Sequence, residues 1–477
     1  MSRSFTNARL LVAASLCLAA CSDLSLAPAA EVAVPETMAA TDDANTPTAA
    51  EPANAMYLVM PVLLEGGGGE GTTVQEVEEF RAIASSIDPD SHVTWAMTTR
   101  FAFGEENRPT IAKVLDFVEE YGDTISYGVG FANNMSVEQF KVDFHDFLYM
   151  FRYNSEGRAG THEHGTSGEK TVWESIPTEL RPVAVVDYSI NQEQLIWLNE
   201  NYGIDTSFWA ATQYQVDGLS GEGSPLLPYY AHRNNTIVPA QDPETNSGVV
   251  VLNAITVDPI GSRYTSGESR FTIHPADPLV EGGEAQIKTI DQYVSNPYNK
   301  QNTINYLSLL VDINWVWRTP ALKASWDEEM KALEGLEPTL LDPAEFADLW
   351  QARGGDNNEL NSFTLQFHGT GAEASDGHRS DADTTYLWTE TREQRVILAK
   401  RDGEEAWSVI DFTDYAAEDI PTMTITELGN KEDVSFVSGR NFKLAPTQEL
   451  TNDQWLRIAD RLTAIGFTDP VGELPAP

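Results

Sequence analysis

The sequence predicts an α/β protein: a parallel sheet covered by helices, followed by a small β-rich C-terminal domain. Three observations lead there. From Met56 onward, short apolar runs alternate with amphipathic helical stretches. The runs are apolar throughout, as in strands buried on both faces. Beyond residue 353 helical spacing gives way to short strands joined by polar turns. With 477 residues, 41% of them hydrophobic, and eleven tryptophans, the chain can bury a large core.

Taken in order, residues 57–64 form the first apolar run, followed by the glycine-rich 66–71. Thr73 and Glu76 make a capping box, opening a helix with Val74, Val77, Phe80, Ala84 and Ile87 on one face. Residues 92–98 read as strand, 110–121 as helix stopped by Gly122, and 124–131 as strand. Ser136 and Gln139 cap a helix whose face is Val137, Phe140, Phe144, Phe147 and Phe151. Residues 182–188 are the next strand, 192–202 a helix between Asn191 and Gly203, and 207–212 a strand. Residues 249–257 and 304–315 look like further strands separated by long loops, and 343–352 like a helix. Seven such strands can close a barrel or lie in an open doubly wound sheet. The β-rich part has strands at 363–367, 384–388, 394–399, 407–412 and 422–425, and an amphipathic helix at 452–465 before Gly466.

Ahead of this, Arg3 and Arg9 precede the apolar run 10–20, and Cys21 follows. That order is a secretory signal. The run is shorter than the about 20 residues needed to span a hydrocarbon core. Leu18-Ala19-Ala20-Cys21 resembles the bacterial lipobox, which implies a lipid on Cys21; Ser22 after it implies the outer membrane, on its periplasmic or cell-surface face. An ordinary cleaved signal is the alternative. The expected organisation is therefore a lipoprotein signal (1–21), a disordered tether rich in Ala, Pro and Thr (22–55), the main domain (56–353) and the β-rich domain (354–477). Cys17 and Cys21 are the only cysteines, and Cys17 leaves with the signal, so the mature chain has no intramolecular disulfide and no cysteine metal site. The net charge of −43 repels nucleic acid and anionic lipid headgroups. It suits a cation-rich partner or simply a solvated acidic surface.

Several stretches resemble a bacterial family grouped with the glycoside hydrolase/polysaccharide deacetylase superfamily. They are 87–131 (with Val93-Thr94-Trp95-Ala96 and Tyr121-Gly122-Asp123), Trp209-Ala210-Ala211-Thr212-Gln213-Tyr214-Gln215-Val216-Asp217-Gly218, Gly223-Ser224-Pro225 with Pro228-Tyr229-Tyr230, and Pro239-Ala240-Gln241-Asp242. The resemblance implies a distorted (β/α)7-type barrel, carbohydrate-active, with polysaccharide or oligosaccharide as partner. It covers residues 56–345. Deacetylases of the superfamily carry an Asp-Asp pair after the first strand and two histidines four apart after the third. Here the corresponding places read Leu64-Glu65-Gly66 and Phe131-Ala132-Asn133-Asn134, a departure from the zinc mechanism.

In such a barrel the active face lies at the C-terminal ends of the strands. Polar residues expected there are Glu65, Glu70, Asp187, Gln213, Asp217, Asp258 and Asp312. Glycoside cleavage needs two carboxyl groups about 5–5.5 Å apart for retention or 6.5–9.5 Å for inversion. Asp187 and Asp258 are the first candidates, with Glu65 as alternate partner. Trp209, Gln213, Asp217, Tyr229 and Tyr230 are candidates for contacts to sugar, and His232 and Arg233 for an acidic sugar. Trp315 and Trp317 could also offer flat faces. His162 and His164, two apart around Glu163, could hold zinc or another divalent ion if a distant ligand such as His232 or Asp187 joined them. A solvated polar loop is the alternative. The expected activity is hydrolysis by acidic residues; the rivals are a metal-dependent deacetylase-like hydrolase and a non-catalytic glycan-binding lipoprotein.

Overall fold

A computed structural model describes residues 55–65, 72–129, 135–155, 169–186, 190–208, 225–253, 283–355, 361–371, 382–417, 420 and 450–472. The signal and the expected tether up to residue 54 lie outside them. The first apolar run is two strands, because Pro61 has no N–H to give a ladder. They are β1 (Met56–Val59) and β2 (Val62–Leu64). The capping box at Thr73 then opens α1 (Val74–Ile87). There follow β3 (Thr94–Thr98), the short α2 (Thr99–Phe103), α3 (Arg108–Tyr121), β4 (Thr124–Gly128) and α4 (Val137–Ser155). Gly122 ends α3 at φ 75°, where a residue with a side chain would be strained. Next come α5 (Glu169–Ser175), β5 (Val185–Val186), α6 (Gln192–Tyr202) in its Asn191–Gln194 capping box, and β6 (Thr206–Phe208).

Residues without evident strand period turn out to form a hairpin, β7 (Tyr229–His232) and β8 (Asn235–Pro239), which leads to β9 (Asn246–Leu252). The expected long loop between β9 and the last strands contains α7 (Gly283–Val294). The run at 304–315 breaks into β10 (Asn305–Ser308), β11 (Val311–Asp312) and the short helix α8 (Ile313–Val316). Then come α9 (Pro320–Glu334), β12 (Thr339–Leu341) and α10 (Pro343–Ala352).

Nine strands lie side by side in the order β11-β2-β3-β4-β5-β6-β9-β7-β8. Pairing is parallel from β11 to β9 and antiparallel from β9 to β8. β1 runs parallel between β10 and β12 in a second, three-stranded sheet. The protein is thus mixed α/β: the expected parallel sheet is present, and the hairpin makes it mixed. Among the described residues no ladder joins the outer edges.

Side chains alternate between two cores. Leu58, Leu64, Trp95, Met97, Ile125, Tyr127, Val185 and Val251 face the helices. Tyr57, Val59, Leu63, Ala96, Val186, Phe208, Val250, Leu252, Tyr306 and Leu310 face the other way and form a separate inner cluster with Phe346, Ala347 and Trp350 of α10. The inner face near the N-terminal ends of the strands is therefore filled by α10.

The C-terminal region is an antiparallel sheet of β13 (Ser362–His368), β14 (Thr384–Thr391), β15 (Gln394–Arg401) and β16 (Ser408–Asp414), in that order. The expected strand at 422–425 lies outside the described residues. One face of this sheet, with Leu387, Leu398 and Phe412, packs on Ile458 and Leu462 of the terminal helix α11 (Asn452–Ala464). The other, with Leu365, Tyr386 and Trp388, joins the helix-side core of the main sheet.

One buried group works against this packing. Glu329 sits on the inner face of α9 between Trp326 and Met330, fully buried, and neither carboxylate oxygen has a hydrogen-bond partner among the described residues. Burial alone drives its carboxyl well above the usual range, so it holds a proton that the unfolded chain releases as pH rises. Glu329→Leu should stabilise the fold by about 1–3 kcal/mol. The gain should be larger at pH 8 than at pH 5 in denaturant titrations; an equal gain at both would show that the carboxyl does not titrate there.

Candidate active site

At the C-terminal ends of the parallel strands, two carboxylates come to one face. Asp312 ends β11 in register with Leu63 of β2. Leu310 and Leu63 belong to the inner cluster, whereas Val311 and Leu64 face the helices. Alternation therefore turns Asp312 and Glu65 inward on adjacent strands, with Cα atoms ~8 Å apart from ladder spacing and strand rise. Asp312 is buried. Its Oδ1 accepts the backbone N–H of Asn314 at 3.0 Å. Burial raises the Glu65 carboxyl above its usual range, opposed by the charge of Arg100 in α2. A carboxyl with a raised pKa and a second carboxyl on the adjacent strand are the two kinds of group that acid–base hydrolysis uses.

The surrounding inner face is tightly fitted. Ser126 lies level with Ala96 of β3, which itself lies level with Leu63. The Ser126 hydroxyl is buried and has no hydrogen-bond partner among the described residues. Two residues on, Gly128 faces Leu63 so closely that a Cβ would stand 2.9 Å from Leu63 Cδ1 and 3.2 Å from the Met97 backbone carbon. Gly128→Ala should therefore cost about 1–3 kcal/mol, read as a lower melting midpoint. An unchanged midpoint would mean that Leu63 has room to turn away.

Of the residues expected at this face, Glu65 directly follows β2. Tyr229 is not at this face: its ring is 0% exposed in the helix-side core and its hydroxyl donates to Thr236 O at 2.7 Å. The expectation of a ligand-facing Tyr229 is corrected by this burial. Tyr230 packs on Trp350 of α10, ring centroids 5.6 Å apart, at the filled end. His232 pairs with Asn246 at the start of β9. Because β7 runs antiparallel, His232 and Arg233 lie at the opposite end of the sheet from Glu65, and their assignment beside the acids is corrected too. His232 is buried, which lowers its pKa against the charge of Asp242, and its Nδ1 accepts the Asn234 N–H. Arg233 Nε donates to Asn246 O at 2.9 Å, a brace for the hairpin. Trp317 donates to Glu79 on α1 at 3.0 Å and carries Lys323 over its ring. Asp187, Asp258, Trp209, Gln213, Asp217, His162, His164 and Cys21 lie outside the described residues.

Arg100 and Asn314 were not anticipated, and Asp312 was not paired with Glu65. The available signal was an acid inside an otherwise apolar run, which is uncommon in a buried strand. Among the described residues, no group of three or more His, Cys, Asp and Glu could hold a metal ion, and no helix is long and apolar enough to cross a membrane. A cleft of about 580 Å³ beside Met56, at the start of β1, is lined by Lys300 and a single acid, Glu337, so it offers no carboxyl pair.

The chain is similar, at a TM-score of 0.59 and 16% identity over 78% of this chain and 88% of the other, to a structure from Parabacteroides distasonis provisionally described as a glycoside hydrolase/deacetylase. Looser likenesses are to a provisionally described polysaccharide deacetylase from Mycobacterium smegmatis (TM-score 0.35, 10% identity, 65% of this chain and 94% of that one) and to an exo-type maltose-forming amylase from Pyrococcus sp. ST04 (TM-score 0.37, 8% identity, 63% and 49%). The chain belongs to DUF3863, a domain family of unknown function with a solved structure, whose model matches residues 51–390. No curated protein matches it.

Two stretches that carry the resemblance serve the scaffold. The Trp95 indole N–H donates to Asp123 at 2.8 Å, and Asp242 accepts the Thr245 N–H at 2.8 Å.

Proposed function

We propose that this protein is a secreted, lipid-anchored hydrolase of polysaccharide or oligosaccharide, with Glu65 and Asp312 as its acid–base pair. The observation that carries the reading is the placement of both carboxyl groups on the inner face at the C-terminal ends of adjacent parallel strands. In the proposed reaction Glu65 gives its proton to the leaving glycosidic oxygen as the C–O bond breaks. Asp312 takes a proton from the water that adds to the anomeric carbon.

The working form is a distorted barrel whose last gap is bridged by side chains. Ser308 of β10 donates to Asn253 O at the end of β9, Asn253 Nδ2 donates to Pro225 O, and Tyr306 donates to Leu226 O. These bonds support closure without a ladder. The anchor is a lipid on Cys21, and the setting is the outer membrane.

The test is reducing-end release from a panel of bacterial and plant glycans, alongside glycan binding by calorimetry. Binding without release by the wild-type protein would replace the enzyme with a glycan-binding lipoprotein. Stoichiometric zinc in the purified protein, with turnover lost on chelation, would replace the acid pair with a metal centre on His162 and His164. Cys21→Ser should move the protein from the membrane fraction to the soluble one; retention on membranes would exclude the lipid as anchor.

A further inference from the structure

The side chain of Asn314 makes two bonds that bridge separate parts of the chain at the acid pair, and its backbone makes a third. Its Nδ2 donates to Glu65 O at 3.0 Å. Its Oδ1 accepts the Thr72 hydroxyl at 3.1 Å. Its backbone N–H donates to Asp312 Oδ1 at 3.0 Å. Thr72 is the next described residue after Glu65, so one amide holds both sides of the 66–71 segment. Thr72 is fastened in turn, because its carbonyl accepts the Thr110 hydroxyl at 2.8 Å. Asn314 lies within α8, which begins directly after Asp312. The chain turns there from strand to helix, and the turn brings the amide back over β2. A carboxamide meets both demands, a donor for Glu65 O and an acceptor for Thr72.

Resting on the acid-pair reading above, we infer that Asn314 is a positioning residue that holds Glu65 and Asp312 at a fixed separation. Without it the backbone at Glu65 loses this tether just beyond the end of β2, and its carboxyl gains freedom to move. A catalytic pair displaced by about 1 Å loses on the order of 10²-fold in rate.

The test uses the full chain and two readouts. With a cleaved glycan, Asn314→Ala should lower kcat by about 10–100-fold at nearly constant KM and shift the alkaline limb of the pH–rate profile toward lower pH. Independently of turnover, a ¹³C-carboxyl NMR titration, with Glu65 assigned through Glu65→Gln, should show the Glu65 midpoint falling toward that of an ordinary glutamate. Thr72→Val, which removes one bond of the three, should move both readouts the same way by less, and it carries the test if Asn314→Ala fails to fold. A Glu65 midpoint identical in wild type and variants would overturn the role of Asn314. Absence of turnover in the wild type, with the midpoint shift present, would overturn only the hydrolase reading.

Discussion

Replacing Glu65 with Gln is expected to lower the turnover of a cleaved glycan by about 10²–10⁴-fold, the usual contribution of a general acid, while glycan affinity is retained. As the proposed general acid Glu65 must be protonated to act, and burial raises its pKa. Wild-type activity should therefore fall as pH rises through that raised value, and the alkaline limb should vanish in Glu65→Gln. Asp312→Asn should cost a comparable factor, and the double variant little more than either alone, because the two residues act in one step. Steady-state rates across pH 4–9, with affinities from calorimetry, decide the matter. Turnover undiminished in either variant would remove that residue from the chemistry.

The second large effect concerns the seam between the antiparallel sheet and the main body. Glu390 on β14 is fully buried, and its carboxylate accepts the backbone N–H groups of Leu226 (2.7 Å) and Leu227 (3.2 Å) and the Trp388 indole N–H. Two buried cations stand near it. Arg395 is paired with Asp411 at 3.0 Å, and Arg461 donates to Glu390 O at 3.0 Å. Glu390→Ala would leave three donors without acceptors and should destabilise the protein by roughly 3–5 kcal/mol, measured by denaturant titration.

Burial raises the Glu390 carboxyl to about 7, opposed by Arg395 and by the donors around it. Unfolded, it releases its proton near its ordinary value of 4.5. Between these limits folding takes up a proton, so stability should decline as pH rises from 4.5 to 7 and level off above. Glu390→Gln should flatten that slope. A slope unchanged by the substitution would mean that another carboxyl, such as Asp342 with its value of about 6, sets it.

Local rules made much of the fold legible. The capping boxes at Thr73 and Asn191 and the stops at Gly122 and Gly203 lie within a few residues of the elements they bound, and all four are present. What stayed hidden depended on partners far along the chain. Residues 320–334 concealed a helix because Glu329 interrupts its apolar face. The hairpin at 229–239 lacked a strand period because nearly all of its residues are buried on both faces. Glu65 could be found as the last residue of an apolar strand. Its place on the strand next to that of Asp312 could not, since it depends on the register between strands some 250 residues apart. The direction of β7 decided which end of the sheet receives His232, and nothing local encodes that direction.

The aromatic filling contributed by α10 plugs one end of the inner face of the sheet. Phe346 and Trp350 stop it on the side away from Glu65 and Asp312. On the proposed reading as a glycan hydrolase, a polymer would not thread past this plug, and fragments would leave at the end where they entered. That reading expects cleavage at a strand end or an exposed bend rather than processive travel along a long glycan.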